Sequence, residues 1–315
     1  MAEIGTDLQK AKTLLAQGEL VAIPTETVYG LAGNATRVEA VTKIFAVKER
    51  PQFDPLIVHV PNLGAVDQYA VEIPETVRVL AEKFWPGPLT ILVKKKSIVP
   101  DLVTSGLDTV GIRCPDHPLT RQLLTELDFP LAAPSANPFG YVSPTSPLHV
   151  NDQLGDKIQY ILDGGVCRVG IESTIVGFEN GMTTIYRMGG LAIEKIESVV
   201  GKVAVQSHST SNPKAPGQLK SHYAPDKKVI IGKIEDLLQQ YPAHCSGLLT
   251  FQNDFNSPFQ FILSPSGNLE EAAQHLFTAL REFDKMPIDV ILTEFVPDVG
   301  LGRAINDRLR RAASV

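Results

Sequence analysis

Residues 22–33 read AIPTETVYGLAG. Just before them, Leu20-Val21-Ala22-Ile23 forms an unbroken apolar run, the pattern of a strand buried on both faces. The run stops at Pro24. Three hydroxyls, Thr25, Thr27 and Tyr29, then follow at alternate positions, with Gly30 and Gly33 beside them. In extended chain a period of two puts the three hydroxyls on one face and Glu26 and Val28 on the other. A core strand ending in hydroxyl donors and glycines suits a small polar ligand at the mouth of an α/β sheet. A Thr-rich edge strand, favoured because Thr is β-branched, looks the same at this stage.

Outward from this stretch, helical and extended patterns alternate. Residues 6–17 put Leu8, Ala11, Leu14 and Leu15 on one side, with Thr6 as N-cap and Gly18 as the C′ glycine. Residues 36–47 repeat the pattern with Val38, Val41, Ile44 and Phe45. Segments 55–60, 89–94, 109–113, 130–133, 159–162 and 174–178 read as strands. Residues 206–227, QSHSTSNPKAPGQLKSHYAPDK, are rich in Ser, Pro and Lys and read as a linker. They separate an α/β domain at 1–205 from a smaller one at 228–315. There, strands near 228–232, 246–251, 259–263 and 289–293 alternate with helices near 233–240, 269–285 and 301–313. That order predicts a mainly parallel, Rossmann-like sheet.

A chain of 315 residues has room for two such cores. Its formal net charge of −6 argues against a general nucleic-acid coat, although a local basic cleft is compatible with it. Cys114, Cys167 and Cys245 are far apart and form no C-x-x-C, so neither a disulfide framework nor a zinc module is expected. A reducing, cytoplasmic setting fits. The opening MAEIGTDLQK lacks the apolar centre of a signal peptide, and no apolar run nears the ~20 residues that span a bilayer, so no membrane role is expected.

Candidate chemistry gathers at element ends. Lys48 and Arg50 precede Pro51 and could hold phosphate as a point charge and a fork; cations also suit a helix C-terminus through its dipole. His59 in PLIVHV is a ligand or a satisfied structural group. Arg113 closes TVGIR where the crevice of an α/β sheet lies, as an anion partner or one half of a surface ion pair. Ala133-Pro134-Ser135-Ala136-Asn137-Pro138 brackets two hydrogen-bonding side chains with prolines, more constraint than a plain turn needs. GIESTIV at 170–176 and YRMGG at 186–190 add Ser173 and Arg187. The chain has no G-x-x-x-x-G-K-[ST] and no G-x-S-x-G. Recurrent cations without a nucleophile–base pair or a metal cluster suit chemistry by positioning and phosphate neutralisation, such as nucleotidyl transfer.

In this order, PTETVYGL, KERP…DPLIVHV, FWPGPLT, TVGIRCP, APSANPFGYVSPT, GIESTIV and YRMGG resemble the YrdC-like family of L-threonylcarbamoyladenylate synthases over nearly all of residues 8–192. APGQLKSHYAP and GLGRAINDRLRRAA look like its long form, with an extra C-terminal domain. The resemblance implies a twisted open α/β fold with a large basic cleft. It also implies a reaction of ATP, L-threonine and bicarbonate that yields threonylcarbamoyl-AMP and pyrophosphate. Mg²⁺ would accompany ATP, with no protein metal ligand and no organic cofactor. The product would pass to a tRNA threonylcarbamoyl transferase, and the cleft leaves room for tRNA or double-stranded RNA contact. Carried over by motif, Thr27, Tyr29, His59, Arg113, Ala133 and Ser173 would contact L-threonine. Lys48, Arg50, Asp54, Thr109, Ser135, Asn137, Ser143, Arg187 and Tyr223 would contact ATP, with Tyr223 closing over it from the linker. Asp54 stands where the family often has Asn, and Ala133 where some relatives carry a hydroxyl.

Overall fold

The computed structural model describes residues 1–206, 215–216 and 223–314. Of the expected linker at 206–227, residues 207–214 and 217–222 therefore lie outside the described residues. The first large sheet holds β1 (Glu3–Gly5), β2 (Val21–Ile23), β3 (Gly30–Asn34), β4 (Ile57–His59), β5 (Leu89–Lys94), β6 (Thr109–Arg113), β7 (Leu131–Ala132), β8 (Tyr160–Leu162), β9 (Thr174–Glu179), β10 (Met182–Arg187) and β11 (Ala204–Val205). Their order is β1-β8-β2-β3-β7-β4-β6-β5-β9-β10-β11. Parallel and antiparallel neighbours mix. At the centre β4 and β6 run parallel with His59 opposite Arg113, and antiparallel β5 sets Thr90 opposite Arg113 from the other side.

The first helix, α1 (Leu8–Ala16), buries Ala11, Leu14 and Leu15 as the apolar spacing requires. Its N-cap is Asp7, which accepts from the Lys10 amide, rather than the expected Thr6. Gly18 follows with the left-handed φ of 80° that its place after the helix calls for. In α2 (Val38–Lys48), Val41, Ile44 and Phe45 are buried, but Val38 in the first turn is exposed. Glu49 takes a left-handed φ of 55°, which ends the helix directly after Lys48 and redirects the chain toward Arg50. The covering helices α3 (Glu75–Phe84), α4 (Asp101–Thr104), α5 (Pro118–Glu126), α6 (Pro147–Leu154) and α7 (Ile193–Val200) complete this part.

The smaller sheet is all parallel: β12 (Lys228–Ile231), β13 (Ser246–Thr250), β14 (Gln260–Ile262) and β15 (Val290–Thr293), in the order β12-β15-β13-β14. It carries α8 (Ile234–Leu237), α9 (Leu269–Asp284) and α10 (Gly302–Ala312). Ala273, Leu276, Phe277 and Leu280 of α9 share one apolar cluster with Val28, Val142 and Ile171, so the two parts of the chain are joined by core packing. Gly170, at φ 79°, lets α9 lie on its backbone: a Cβ there would fall 2.4 Å from the Gln274 Cα.

Candidate active site

A pocket opens beside the ends of β4 and β6. Arg50, His59, Arg113, Ser173, Arg187 and Tyr223 line it, with Ala133, Ser135 and Pro216. The sheet explains this convergence. His59 and Arg113 are register partners on adjacent strands. Residues alternate along β6, so Arg113, Gly111 and Thr109 share the cavity side.

Residues 24–29 do not continue β2 as a strand; they turn, and β2 returns antiparallel as β3, with Ile23 opposite Gly30. Thr25 makes the turn. Its hydroxyl donates to the Val28 carbonyl at 2.7 Å, accepts from the Thr27 and Val28 amides, and lies 2.8 Å from the Thr27 hydroxyl. The hydroxyls therefore do not form a row on one face. Tyr29 donates to the Gly165 carbonyl at 2.8 Å and accepts from the Gly164 amide. Thr27 and Tyr29 are fully buried and lie behind the lining, where Val28 stands. Glu26, expected to face away, pairs with Arg113 at 2.8 Å, and both are buried.

Lys48 is also buried rather than presented to the cavity. Its ammonium donates to the carbonyls of Ser135 and Asn137, each at 2.5 Å, and so fixes the Pro-Ser-Ala-Asn-Pro loop. Burial, with Arg50 nearby, lowers its pKa well below the ordinary lysine value. Asn137 spends its amide on the Pro138 and Tyr141 carbonyls. Asp54 lies fully buried behind Arg50, 2.9 Å from its guanidinium, and burial raises its pKa. It aims Arg50, whose Nε and other nitrogen also donate to the Asp54 and Pro55 carbonyls.

On the opposite wall Arg187 donates twice to Ser173, to its carbonyl at 3.1 Å and its hydroxyl at 3.0 Å, and reaches the Pro216 carbonyl. Thr90 holds the same Ser173 hydroxyl at 2.8 Å. A bulge between Ile185 and Arg187 breaks the alternation of β10. Adjacent Tyr186 and Arg187 consequently both serve the cavity side: Tyr186 packs with Ile57, Ile175 and Ala215. Thr109 is not part of this lining. It lies at the far end of β6, in a second hollow with Leu92, Gly177, Phe178 and Tyr186. At ~3.3 Å per residue it stands roughly 13 Å from Arg113 along the same face.

Sequence reasoning missed three groups. Glu26 was assigned to the wrong face. Glu172 lines the cavity and accepts from the Ser143 hydroxyl at 2.5 Å. Arg308, fully buried in α10, donates to Glu172 at 2.9 Å. Tyr223 stacks on Phe277 at 5.7 Å, beneath the Arg308 guanidinium.

His59 is buried, its Nδ1 without a partner, and burial together with the Arg113 charge depresses its pKa to about 3. It is neutral at pH 7 and presents a lone pair or N–H rather than a charge. Unfolded, the ring titrates near 6.5, so between those values the unfolded chain binds more protons and stability rises with pH. One such group contributes up to about 1.4 kcal/mol per pH unit. His59→Gln should therefore lose roughly 2 kcal/mol less than the parent between pH 7 and pH 5 in urea unfolding. Parallel profiles would exclude this account.

A family model described as "Telomere recombination", of the Sua5/YciO/YrdC group, matches residues 13–189. A second, "Threonylcarbamoyl-AMP synthase, C-terminal domain", matches residues 191–314. The chain is 41% identical to the threonylcarbamoyl-AMP synthase of Pyrococcus abyssi, over 96% of this chain and 93% of that protein. It is 38% identical to that of Bacillus subtilis, over 97% and 92%. The crystal structure of P. abyssi Sua5 complexed with L-threonine superposes with a TM-score of 0.93, covering 99% of this chain and 97% of that one at 38% identity. The chain thus belongs to the Sua5/YciO/YrdC family, in the long form that carries the additional C-terminal domain.

Proposed function

We propose that the chain is an L-threonylcarbamoyladenylate synthase, a nucleotidyltransferase that makes threonylcarbamoyl-AMP and pyrophosphate from ATP, L-threonine and bicarbonate. Its product would serve threonylcarbamoyladenosine formation in tRNA through a separate transferase. One observation carries this reading: Arg50, His59, Arg113, Ser173 and Arg187 meet in one pocket with Tyr223 at its wall, in a chain whose near-full-length relatives bear that name.

The threonine carboxylate pairs with Arg113, beside neutral His59, Ser173 and the methyl of Ala133. Thr27 and Tyr29 support that wall from behind. Arg50, Arg187 and Ser135 take phosphate oxygens, Lys48, Asn137 and Ser143 hold the surrounding loops, and the hollow at Thr109 receives the nucleoside end. The threonine amine attacks bicarbonate, forming a C–N bond while a C–O bond breaks and water leaves, or adds directly to CO₂ and gives up a proton to solvent; either route yields a carbamate. A carbamate oxygen then attacks the α-phosphorus, and the bond to pyrophosphate breaks. Fixed guanidinium groups stabilise the charge that develops.

Glu26, Asp54 and Glu172 each face an arginine. With these carboxylates engaged by arginines, Mg²⁺ would enter with ATP and would supply further phosphate charge neutralisation. The mixed anhydride hydrolyses readily, so cover from Pro216 and Tyr223 at the cavity wall would help to exclude water. Pyrophosphate release from ATP and Mg²⁺ should require both L-threonine and bicarbonate, and fall for serine. Release without threonine, or none with ATP bound, would overturn the assignment.

A further inference from the structure

We propose that the C-terminal unit completes the anion-binding wall of the cavity, with Arg308 of α10 as a positioning residue that acts through Glu172 and Tyr223. The synthase reading enters only as the identity of the anion.

Arg308 has no solvent exposure. Its Nε donates to one Glu172 oxygen at 2.9 Å, and its two other nitrogens donate to Asp307 at 2.7 Å and to the Met188 carbonyl at 3.0 Å. Its guanidinium carbon stands 4.7 Å from the centre of the Tyr223 ring. The other Glu172 oxygen takes the Ser143 hydroxyl. From α9, buried Arg281 donates to the Ser143 and Val142 carbonyls. Two helices of the smaller unit therefore hold Ser143 from opposite sides, one through its backbone and one through Glu172.

The electrostatic consequence follows from what borders the pocket. Glu172 is a carboxylate set among Arg50, Arg113 and Arg187, where it would repel an entering anion. Asp307 is shared with Arg311 at 2.9 Å, which leaves Arg308 to balance Glu172. Arg308 thus offsets the one adverse charge among the described lining residues and fixes its direction toward Ser143. The same guanidinium supports the ring of Tyr223 over the site.

The test is calorimetric binding of inorganic tripolyphosphate to the full chain, for the parent, R308M, E172Q and the double variant. R308M should weaken binding at least about tenfold, because Glu172 is left uncompensated. E172Q should tighten it. The double variant should return to within about threefold of E172Q, a rescue that a purely structural role of Arg308 would not give. R308K should recover part of the affinity, and the KM for ATP should rise more than kcat falls. Parent-like binding by R308M, a double variant as weak as R308M, or a parent chain that binds no tripolyphosphate would each overturn the proposal. Threonine-independent pyrophosphate release alongside the expected binding pattern would instead remove the synthase reading and leave this coupling standing.

Discussion

Arg113→Met is expected to cost about 3–5 kcal/mol of folding stability and to reduce threonine-dependent turnover by two orders of magnitude or more. Arg113 and Glu26 are both buried and 2.8 Å apart. Removing the guanidinium strands a carboxylate beneath the sheet's centre, which is far more adverse than replacing the whole pair. The double variant Arg113→Met/Glu26→Gln should accordingly regain most of the stability in urea unfolding while its turnover stays low. That split separates two roles of Arg113: partner of Glu26 inside the fold, and anion contact inside the pocket. Recovery of turnover along with stability would show that Arg113 matters only for folding.

Lys48→Met should be nearly as damaging by a different route. The two carbonyls that Lys48 satisfies belong to Ser135 and Asn137, in a loop where prolines flank the pair. Each carbonyl left unpaired in a buried place costs about 1–3 kcal/mol. The expected result is a loss of roughly 2–5 kcal/mol in urea unfolding and a raised KM for ATP as Ser135 moves. Lys48→Arg should not restore either, because a planar fork does not reproduce a compact ammonium between two converging acceptors. Full recovery by arginine would mean that charge alone, rather than the anchoring of the loop, is what the position supplies.

Much of this molecule was readable from its sequence, for identifiable reasons. The four parallel strands of the smaller sheet were placed within a residue or two, because buried parallel strands are short apolar runs between helical patterns. Arg113 and His59 were assigned to strand ends, and the sheet brings them side by side. The hydroxyl row failed because Thr-x-Thr-x-Tyr fits an extended strand and an ST-turn equally well; only the hairpin partner, Gly30 opposite Ile23, decides between them. Glu172 and Arg308, 136 residues apart, were invisible in a single sequence because nothing local marks their pairing. Lys48 and Asn137 carry the right residue types for phosphate contact, yet the Lys48 ammonium and the Asn137 amide nitrogen are directed to backbone carbonyls.

The bulge in β10 makes this strand's length a code as well as its residues. In strict alternation, neighbours such as Tyr186 and Arg187 project through opposite sides of a sheet; the extra residue is what allows both to stay on one. Deleting a single codon between Thr183 and Arg187 would restore the regular frame and rotate one of the two away. A substitution trims one contact, whereas that deletion would leave Arg187 opposite Ile175 and remove the whole Tyr186 ring from the cavity side. Drift in this segment is therefore free to change letters at exposed Met182, but not to change the count.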